Sequence, residues 1–489
     1  MNVDYSELFR ALRPETSLLI GALLMLGLDL TVFRQRSSAD RMRLAAFIGA
    51  LATVTAMIHV WSFGARGATF GQVFMFDAVA VVARLGLLAL LLLTLCLVTA
   101  ARCPRHPVEY LAILLFATMG FLLMAVAQQL LLAFLALELA SLSLYVLAGY
   151  DKKRAASAEA ALKYFLFGGM AAAFLLFGFS LIYGLTGSIE LPHIASSLAA
   201  QAQSPLLSVA LVMVLIAFGF KSAAAPFHLW APDVYEGAPT LSAALVASAS
   251  KLAGFTLFYR LLWSGLGGAA GSVSSGVGSP GWLPAAAVVS LLSLLLGNIG
   301  ALAQGNVRRL FAYSAIAHAG ALLLGVMAAG RSGPAPLLYY ATTYAFATVG
   351  VFGVIAMIER TGPCDKVTDL AGLYRRSPVL AGCLAVFVLS LAGIPPLAGF
   401  FGKFVVFAAA LKLGGVAGPA GWLTFLAIAL SAVALYYYLL VLKQALVTEP
   451  AADRSARIAT PAVAVFALLG AAAVLVVLGI WPSLLLGRI

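Results

Sequence analysis

The chain has 489 residues, of which 63% are hydrophobic and 10% are charged, and its mean hydropathy is +1.05. This composition excludes a water-soluble globular protein of this length and indicates an all-α protein that crosses the lipid bilayer many times. The net charge of +12 does not indicate nucleic-acid binding, because the basic residues lie in short loops between apolar runs. The N-terminal stretch MNVDYSELFRALRPETS mixes charges and lacks an apolar core, so we expect no cleavable signal peptide.

Fourteen apolar runs of about 20 residues follow one another and predict fourteen transmembrane helices. The weakest boundary is at Ala127–Gln129, where the fourth and fifth runs nearly touch. Prolines break the seventh run near Pro226 and the twelfth within the motif GIPPLAG, because proline removes a backbone donor and frees a carbonyl one turn earlier. The predicted spans are 16–33, 42–61, 76–100, 108–126, 128–149, 159–184, 206–229, 239–262, 283–303, 309–329, 335–358, 379–412, 421–446 and 460–485.

The positions of lysine and arginine predict the side of the membrane that each loop faces. Loops that follow odd-numbered spans carry most of the chain's 30 basic residues, for example Lys152–Arg154 and Arg308–Arg309. The positive-inside rule assigns these loops to the cytoplasm. Both termini are then expected on the outer side of a cell inner (plasma) membrane.

The two broken spans lie five spans apart and indicate an internal repeat. Lys221 precedes the first break and Lys403 follows the second. A repeated unit of five helices is inverted because five is odd, and inverted repeats with broken helices hold their transport site near the middle of the membrane. We therefore predict an N-terminal three-helix segment, a first five-helix repeat (helices 4–8), a second, inverted repeat (helices 9–13) and a C-terminal helix. Their ranges are 1–104, 105–262, 263–447 and 448–489.

Ionisable residues inside the spans are functional candidates, because a charge at mid-membrane costs about 2.5–3.5 kcal/mol or more. Glu138 lies among leucines in the fifth span, Lys221 lies in the seventh and Lys251 in the eighth. A buried lysine that faces a carboxylate could load and release a proton near neutral pH. The alternative is a static role, either as a protonated glutamate between helices or as a fixed ion pair between Glu138 and one of the lysines.

Three further candidates have strong structural alternatives. Lys403 could release protons toward the outer side, or it could be a snorkelling lysine at a helix end. His318, in the tenth span, could relay protons because the ordinary pKa of histidine lies near 7, or it could be a hydrogen-bonded core residue. Lys163, near the start of the sixth span, could draw protons from the cytoplasm or could snorkel.

Several other polar residues receive mainly structural interpretations. His228, Asp233 and Glu236 follow the first break, where they could line a water-filled path but more simply pin the loop. Arg84 is expected to snorkel or to face a partner. The tyrosines at 436–438 are expected to pack between helices.

The chain offers no pattern for a cofactor of its own. The four cysteines, Cys96, Cys103, Cys364 and Cys383, form no CxxC motif and have no histidine at ligand spacing, which argues against metal, haem and iron–sulfur sites. No nucleotide-binding motif occurs in a suitable context.

Five segments resemble the antiporter-like membrane subunits of respiratory complex I, in the variant found in subunit N rather than in subunits L or M. The resemblance covers about residues 105–447. The segments are LELASLSLYVLAGY, EAALKYFLFGGMAAAFLLFG, KSAAAPFHLWAPDVYEGAPT with the following LVASASKLAGF, YSAIAHAG and GIPPLAGFFGKF.

The resemblance implies a proton-pumping subunit of NADH:quinone oxidoreductase, with fourteen helices and an inverted repeat. It also implies that NADH, FMN, iron–sulfur clusters and quinone are bound by partner subunits, that subunits K and M are neighbours, and that a long lateral helix of subunit L crosses this chain. The residues that match ionisable positions of the family are Glu138, Lys163, Lys221, Lys251, His318 and Lys403.

Two alternatives remain at this point. A subunit of a multi-subunit cation/proton antiporter would share the same charged residues, although the motifs DVYEGAPT and SASKLAGF favour the oxidoreductase. A structural spacer that pumps nothing is the other alternative.

Overall fold

The computed structural model describes residues 5–70, 72–102, 104–199, 204–273, 280–450 and 456–489, so Cys103 lies outside the described residues. Within these ranges the chain is almost entirely helical. The first helices are α1 (Tyr5–Ala11), α2 (Arg13–Thr31), α3 (Ser38–Phe63), α4 (Ala78–Ala100), α5 (Pro107–Val126), α6 (Leu130–Ala148), α7 (Ala155–Thr186), α8 (Leu191–Ala199), α9 (Pro205–Ser222), α10 (Trp230–Gly237), α11 (Thr240–Ala247) and α12 (Ala249–Tyr259).

A π-helix, Arg260–Gly265, extends α12 and is followed by a short 3-10 helix, Gly267–Ala269. Another 3-10 helix spans Val367–Leu370. The remaining α-helices are α13 (Trp282–Leu302), α14 (Val307–Ser332), α15 (Ala335–Ile358), α16 (Leu373–Arg376), α17 (Pro378–Ala392), α18 (Ala398–Leu411), α19 (Pro419–Leu446), α20 (Ala462–Ile480) and α21 (Ser483–Leu486).

Within the described ranges, thirteen helical stretches are long and apolar enough to cross a membrane. They are α2–α7, α9, the stretch Thr240–Gly265, α13–α15, α19 and α20. Two shorter apolar helices, α17 and α18, occupy the predicted twelfth span. The prediction of an all-α protein with many membrane spans is confirmed, whereas the total of fourteen and the inverted repeat stay predictions.

Both predicted breaks are present. The first separates α9 from α10, and the second separates α17 from α18. The residue after each first half, Ala223 or Gly393, has a positive φ, of 54° and 86°. Left-handed residues commonly end helices, and an alanine in this conformation is unusual because its Cβ crowds the backbone.

Serine hydroxyls satisfy backbone donors that the breaks set free. The N–H of Ala225 donates to Ser293 Oγ at 2.8 Å, and the N–H of Gly399 donates to Ser390 Oγ at 3.1 Å. A Cβ at Gly399 would lie 1.8 Å from the Ser390 carbonyl oxygen. Glycine is therefore required for α18 to approach the end of α17 this closely.

A third interruption was not predicted. The eighth span changes direction at Ser248, where φ is −117° and ψ is −80°, so that α11 and α12 are separate helices. The sequence LVASASKLAGF contains no proline that would mark this point. The interruption places Lys251 in the first turn of α12.

The boundary predicted at Ala127–Gln129 is confirmed, because α5 ends at Val126 and α6 begins at Leu130. The connecting residues are extended, and Ala127 and Gln129 form isolated β-bridges with Phe74 and Glu190. The described residues also include one small antiparallel hairpin of β1 (Gly67–Thr69) and β2 (Phe74–Phe76).

The centre of the molecule is formed by the stretch Thr240–Gly265 together with α14 and α15. These helices are buried along almost their whole length, whereas α7 is buried over only a third of its apolar window. A helix that is apolar on all sides and enclosed by others belongs to the interior of a bundle. Lys251 and His318 therefore lie on central helices.

Candidate functional site

Lys221 lies in the last turn of α9 and is buried. Its Nζ donates to Ser141 Oγ of α6 at 3.0 Å. Glu138, one turn before Ser141, is half-buried, and its Oε1 has no hydrogen-bond partner within the described chain. Lys221 and Glu138 interact electrostatically, but these two described side chains form no direct ion pair. The fixed ion pair that the sequence left open is thus not the arrangement in this structure.

Lys251 is buried between α12, α14 and α15. Its Nζ donates to the carbonyl oxygen of Ala315 and lies 5.7 Å from the ring centroid of Tyr344, within the range of a cation–π interaction. Gly254 of α12 lies beside the aliphatic part of Lys221, since a Cβ added to this glycine would be 3.4 Å from Lys221 Cγ. The two lysines thus belong to one packed unit.

His318 is buried in α14, and a hydroxyl group faces each of its ring nitrogens. The distance from Nδ1 to the Tyr340 hydroxyl is 2.6 Å, and that from Nε2 to the Tyr438 hydroxyl is 3.0 Å. Tyr438 is also hydrogen-bonded to Ser314. Lys251 and Lys403 both act on His318 electrostatically.

Lys403 lies in α18 and is only 9% exposed. Its Nζ donates to the carbonyl oxygen of Ala392 at 3.0 Å, so it reaches back across the break to the last residue of α17. The snorkelling alternative from the sequence is wrong for this residue, because its ammonium group is directed into the protein.

Lys163 belongs to a separate group of charges, which we call the Asp233 cluster: Lys163, Asp233, Glu236, Asn306 and Arg309. Asp233 accepts from Lys163 Nζ and from Arg309 Nη1, both at 2.6 Å. Glu236 accepts from Arg309 at 2.9 Å and from Asn306 at 3.0 Å. Lys163 also pairs with Glu159 at 2.6 Å. The cluster joins α7, α10 and α14, which agrees with the pinning role that the sequence favoured for Asp233 and Glu236.

The electrostatics of Asp233 follow from these contacts. Burial by itself would raise the pKa of this carboxyl, but the hydrogen bonds and charges of Lys163 and Arg309 outweigh burial and hold the pKa below its ordinary value. Asp233 is therefore a stable anion between two cations. His228 is buried nearby in the chain but does not share the hydrogen bonds of the cluster, and its ring centroid lies 6.5 Å from that of Tyr313.

Two interpretations of the sequence are corrected. Arg84 neither snorkels nor faces a partner: it is 2% exposed, and its Nη2 donates to both carboxylate oxygens of Glu15, at 2.6 and 2.8 Å. The tyrosines at 436–438 do not all serve packing, since Tyr438 bonds to His318. The sequence could have indicated this bond, because a tyrosine inside an apolar span is expected to be buried and a buried tyrosine hydroxyl nearly always needs a hydrogen-bond partner.

Among the described residues, no group of three histidine, cysteine, aspartate or glutamate side chains could hold a metal ion. The three cysteines that are described, Cys96, Cys364 and Cys383, are free. The ionisable and hydrogen-bonding groups around Lys221, Lys251, His318 and Lys403 include ammonium groups, an imidazole, hydroxyls and the carboxyl group of Glu138, which donate, accept and exchange protons.

Comparisons with known proteins settle the family. The family model described as NADH:quinone oxidoreductase/Mrp antiporter, TM, matches residues 127–433. The chain is 48% identical over 499 aligned residues to NADH-quinone oxidoreductase subunit N 2 of Acidobacterium capsulatum, with 99% of each chain covered. The chain belongs to the subunit N family of NADH:quinone oxidoreductase. It is thus a membrane subunit of an enzyme complex, as the resemblance of its motifs implied.

Solved structures agree with this family. A chain of respiratory complex I from Thermus thermophilus with bound aureothin is 33% identical, with a TM-score of 0.81 and with 97% of this chain and 98% of that chain covered. A chain of the Mrp complex from Dietzia sp. DQ12-45-1b is 21% identical, with a TM-score of 0.79 and coverage of 97% and 95%. The second likeness shows the shared fold alone.

Proposed function

We propose that this subunit translocates protons across the inner (plasma) membrane and that quinone reduction in partner subunits drives the translocation. The observation that carries the proposal is the row of ionisable side chains across the bundle: the half-buried Glu138 and the buried Lys221, Lys251, His318 and Lys403. Buried charges are costly in a membrane and are kept there for a function. None of the three lysines is bound to a carboxylate; each donates to a hydroxyl or a carbonyl oxygen.

The proposed route begins on the cytoplasmic side, at the Asp233 cluster and the first break. Protons reach Lys221, pass through Lys251 and His318 to Lys403, and leave on the outer side. Both termini lie on the outer side in this orientation, as the placement of basic loops predicts. The two inverted units, 105–262 and 263–447, each supply one broken helix to the route.

Glu138 is proposed to control the proton on Lys221. In the structure the Lys221 ammonium is hydrogen-bonded to Ser141 while a buried oxygen of Glu138 stays unpartnered. A short movement of the ammonium toward Glu138 would exchange a neutral partner for an anion. Since a unit charge at 4 Å contributes about 4 kcal/mol at an effective dielectric constant of 20, this exchange is large enough to switch the lysine between holding and releasing its proton.

The partner subunits are proposed to supply the redox chemistry. NADH, FMN, the iron–sulfur clusters and quinone would be bound by them, and subunits K and M and the lateral helix of subunit L would contact this chain. In the assembled enzyme, a charge shift in a neighbour would reach this subunit through Glu138 and Lys221.

The test is Lys221→Ala in the complete enzyme, reconstituted in vesicles, with Lys152→Ala in a loop as the matched control. We expect assembly and quinone reduction to persist while the number of protons moved per electron falls, and we expect the control to behave as the parent. Unchanged proton movement in Lys221→Ala would exclude the route.

A second candidate is a subunit of a cation/proton antiporter, which the Mrp part of the family description and the shared fold support. The oxidoreductase is favoured because the chain is 48% identical, over 99% of both chains, to a subunit N of NADH-quinone oxidoreductase. The two functions differ in their driving force. Proton movement driven by a sodium gradient, without any quinone reduction, would support the antiporter.

A further inference from the structure

We propose that Tyr340 and Tyr438 are proton-relay residues, which carry a proton through His318 along a chain of four hydrogen-bonded groups, Ser314, Tyr438, His318 and Tyr340. This inference rests on the proposed function and names groups that the motifs did not indicate. The four residues lie on three helices, α14, α15 and α19, and all are buried.

The contacts form an unbroken chain. Ser314 Oγ is hydrogen-bonded to the Tyr438 hydroxyl, which lies 3.0 Å from His318 Nε2. His318 Nδ1 lies 2.6 Å from the Tyr340 hydroxyl. Every member can both donate and accept, because hydroxyls do both and a neutral imidazole donates from one nitrogen and accepts at the other.

The hydrogen bonds of this chain can all point from Ser314 toward Tyr340, or all point the opposite way. In the first, Ser314 donates to Tyr438, Tyr438 donates to Nε2, and Nδ1–H donates to Tyr340. In the second, Tyr340 donates to Nδ1, Nε2–H donates to Tyr438, and Tyr438 donates to Ser314. His318 is neutral in both and changes only its tautomer.

One passage of a proton converts the first direction into the second. An incoming proton binds Ser314 Oγ as the Ser314 hydrogen moves to Tyr438 and the Tyr438 hydrogen moves to Nε2. The Nδ1 hydrogen moves to Tyr340, and the original Tyr340 hydrogen leaves. One O–H bond forms at Ser314 and one breaks at Tyr340, so the net charge of the chain is unchanged. The chain is reset when the hydroxyls rotate and the imidazole ring turns over, which carries the ring N–H from the Tyr438 side to the Tyr340 side without breaking it.

The ends of the chain lie beside the two lysines of the route. Ser314 precedes Ala315, whose carbonyl oxygen accepts from Lys251. At the other end Tyr340 packs on Gly402, the residue before Lys403, since a Cβ on this glycine would lie 2.6 Å from Tyr340 Cδ2. One end of the chain thus adjoins the residue that binds Lys251, and the other end packs against the residue that precedes Lys403.

The surrounding charges favour a relay in which His318 never becomes a cation. Lys251 and Lys403 both act on the imidazole, and Tyr344 contributes a ring 4.8 Å from it. An imidazolium between two ammonium groups in a buried site would be repelled by both. Tautomer exchange through two tyrosine hydroxyls moves the proton without forming that cation.

The structure provides a matched control for the test. Tyr339 is adjacent to Tyr340 in the chain and is equally buried, but its hydroxyl donates elsewhere, to the Leu478 carbonyl oxygen at 2.7 Å. Tyr339→Phe and Tyr340→Phe each remove one hydroxyl and one hydrogen bond from a buried ring. Tyr438→Phe removes one hydroxyl and its two hydrogen bonds, to Ser314 and to His318.

Protons moved per electron are measured in vesicles that hold the complete enzyme with Tyr340→Phe, Tyr438→Phe or Tyr339→Phe. We expect the first two to assemble and to lose proton movement several-fold, as Lys221→Ala does, while the control Tyr339→Phe keeps it. Full proton movement in Tyr340→Phe or Tyr438→Phe would overturn the relay, and so would an equal loss in all three variants. If Lys221→Ala pumps normally, the proposed function fails; if only the relay variants pump normally, the relay alone fails.

A second measurement keeps the shape of the ring. Fluorinated tyrosine at position 340 or 438 keeps its hydroxyl in place but makes it a stronger acid. If these tyrosines relay protons, the pH profile of proton movement shifts toward lower pH, and the same replacement at position 339 causes no shift. An unchanged profile at both relay positions would overturn the proposal even if the phenylalanine variants fail to assemble.

Discussion

The ammonium group of Lys403 donates to the carbonyl oxygen of Ala392 at 3.0 Å, across the break between α17 and α18. The last carbonyls of a helix have no partner within the helix and carry its negative end. Lys403 therefore performs two tasks, since it satisfies the end of α17 and places a buried positive charge on the route.

Two substitutions at this position separate the tasks. Lys403→Gln keeps a donor for the Ala392 carbonyl but removes the charge, whereas Lys403→Met removes both. We expect Lys403→Met to lower the stability of the assembled enzyme by about 1–3 kcal/mol, the cost of a buried unsatisfied polar group, and Lys403→Gln to lower it less. Both should reduce proton movement. Thermal unfolding and proton movement per electron check this, and a Gln variant that pumps normally would show that the charge is not needed.

Ser141→Ala removes the hydroxyl that accepts from Lys221. Glu138, which interacts with Lys221 electrostatically and has an unpartnered oxygen, then becomes an alternative acceptor. We therefore expect a tighter pairing between the two and several-fold slower proton movement without loss of assembly. Ser143→Ala is the matched control, because Ser143 lies on the same helix and its hydroxyl donates to the Leu139 carbonyl at 2.8 Å. Equal rates of proton movement in vesicles with Ser141→Ala and with Ser143→Ala would contradict a role for Ser141.

The Asp233 cluster predicts a dependence of stability on acid. The pKa of Asp233 is lower in the folded protein than its ordinary value. The resulting stabilisation is complete above the ordinary pKa of aspartate, about 3.9, and is lost as the pH falls through the lower, folded value. We expect Asp233→Asn to reduce the melting temperature at pH 7. The difference from the parent should begin to shrink as the pH falls below about 4 and should disappear only below the lower, folded pKa of Asp233.

Glu159→Gln is the control for that experiment. Glu159 pairs with Lys163 at 2.6 Å, but its loss leaves the two cations of the cluster still bound to Asp233. Its effect on the melting temperature at pH 7 should be much smaller. A difference between Asp233→Asn and the parent that persists unchanged at low pH would contradict the assignment.

The buried pair of Glu15 and Arg84 predicts a strongly non-additive result. Removing one partner of a buried ion pair leaves an uncompensated charge and costs about 3–5 kcal/mol, while replacing both by apolar residues is often close to neutral. We therefore expect Glu15→Leu and Arg84→Met each to destabilise the protein more than the double variant does. Thermal unfolding of the three variants checks the order, and simple addition of the single effects would refute it.

The sequence predicted the helical architecture, both proline breaks and the presence of ionisable residues inside the helices, because each leaves a local signal. A lysine within an apolar run, as at Lys221 or Lys251, is visible without any knowledge of its neighbours. The interruption at Ser248 carried no such signal, since serine and alanine are ordinary helix residues. Only the packing of the folded bundle reveals it.

Partners far apart in the chain account for most of the remaining differences. Arg84 was misinterpreted because Glu15 lies 69 residues earlier, in a stretch that looked like an N-terminal tail. Tyr340 and Tyr438 were missed because tyrosine packs as well as it donates hydrogen bonds. The contacts that bring each of them to His318 depend on three helices meeting, and no periodicity in the sequence encodes that meeting.

The Asp233 cluster has a mechanical consequence for the whole subunit. Lys163 and Asp233 belong to the first predicted unit, whereas Asn306 and Arg309 belong to the second, so the ion pairs fasten the two units to each other at one end. A transporter that rocks one unit against the other would have to break these pairs in every cycle. The proposed translocation needs no such rocking, because its moving parts are side chains and protons within a fixed frame.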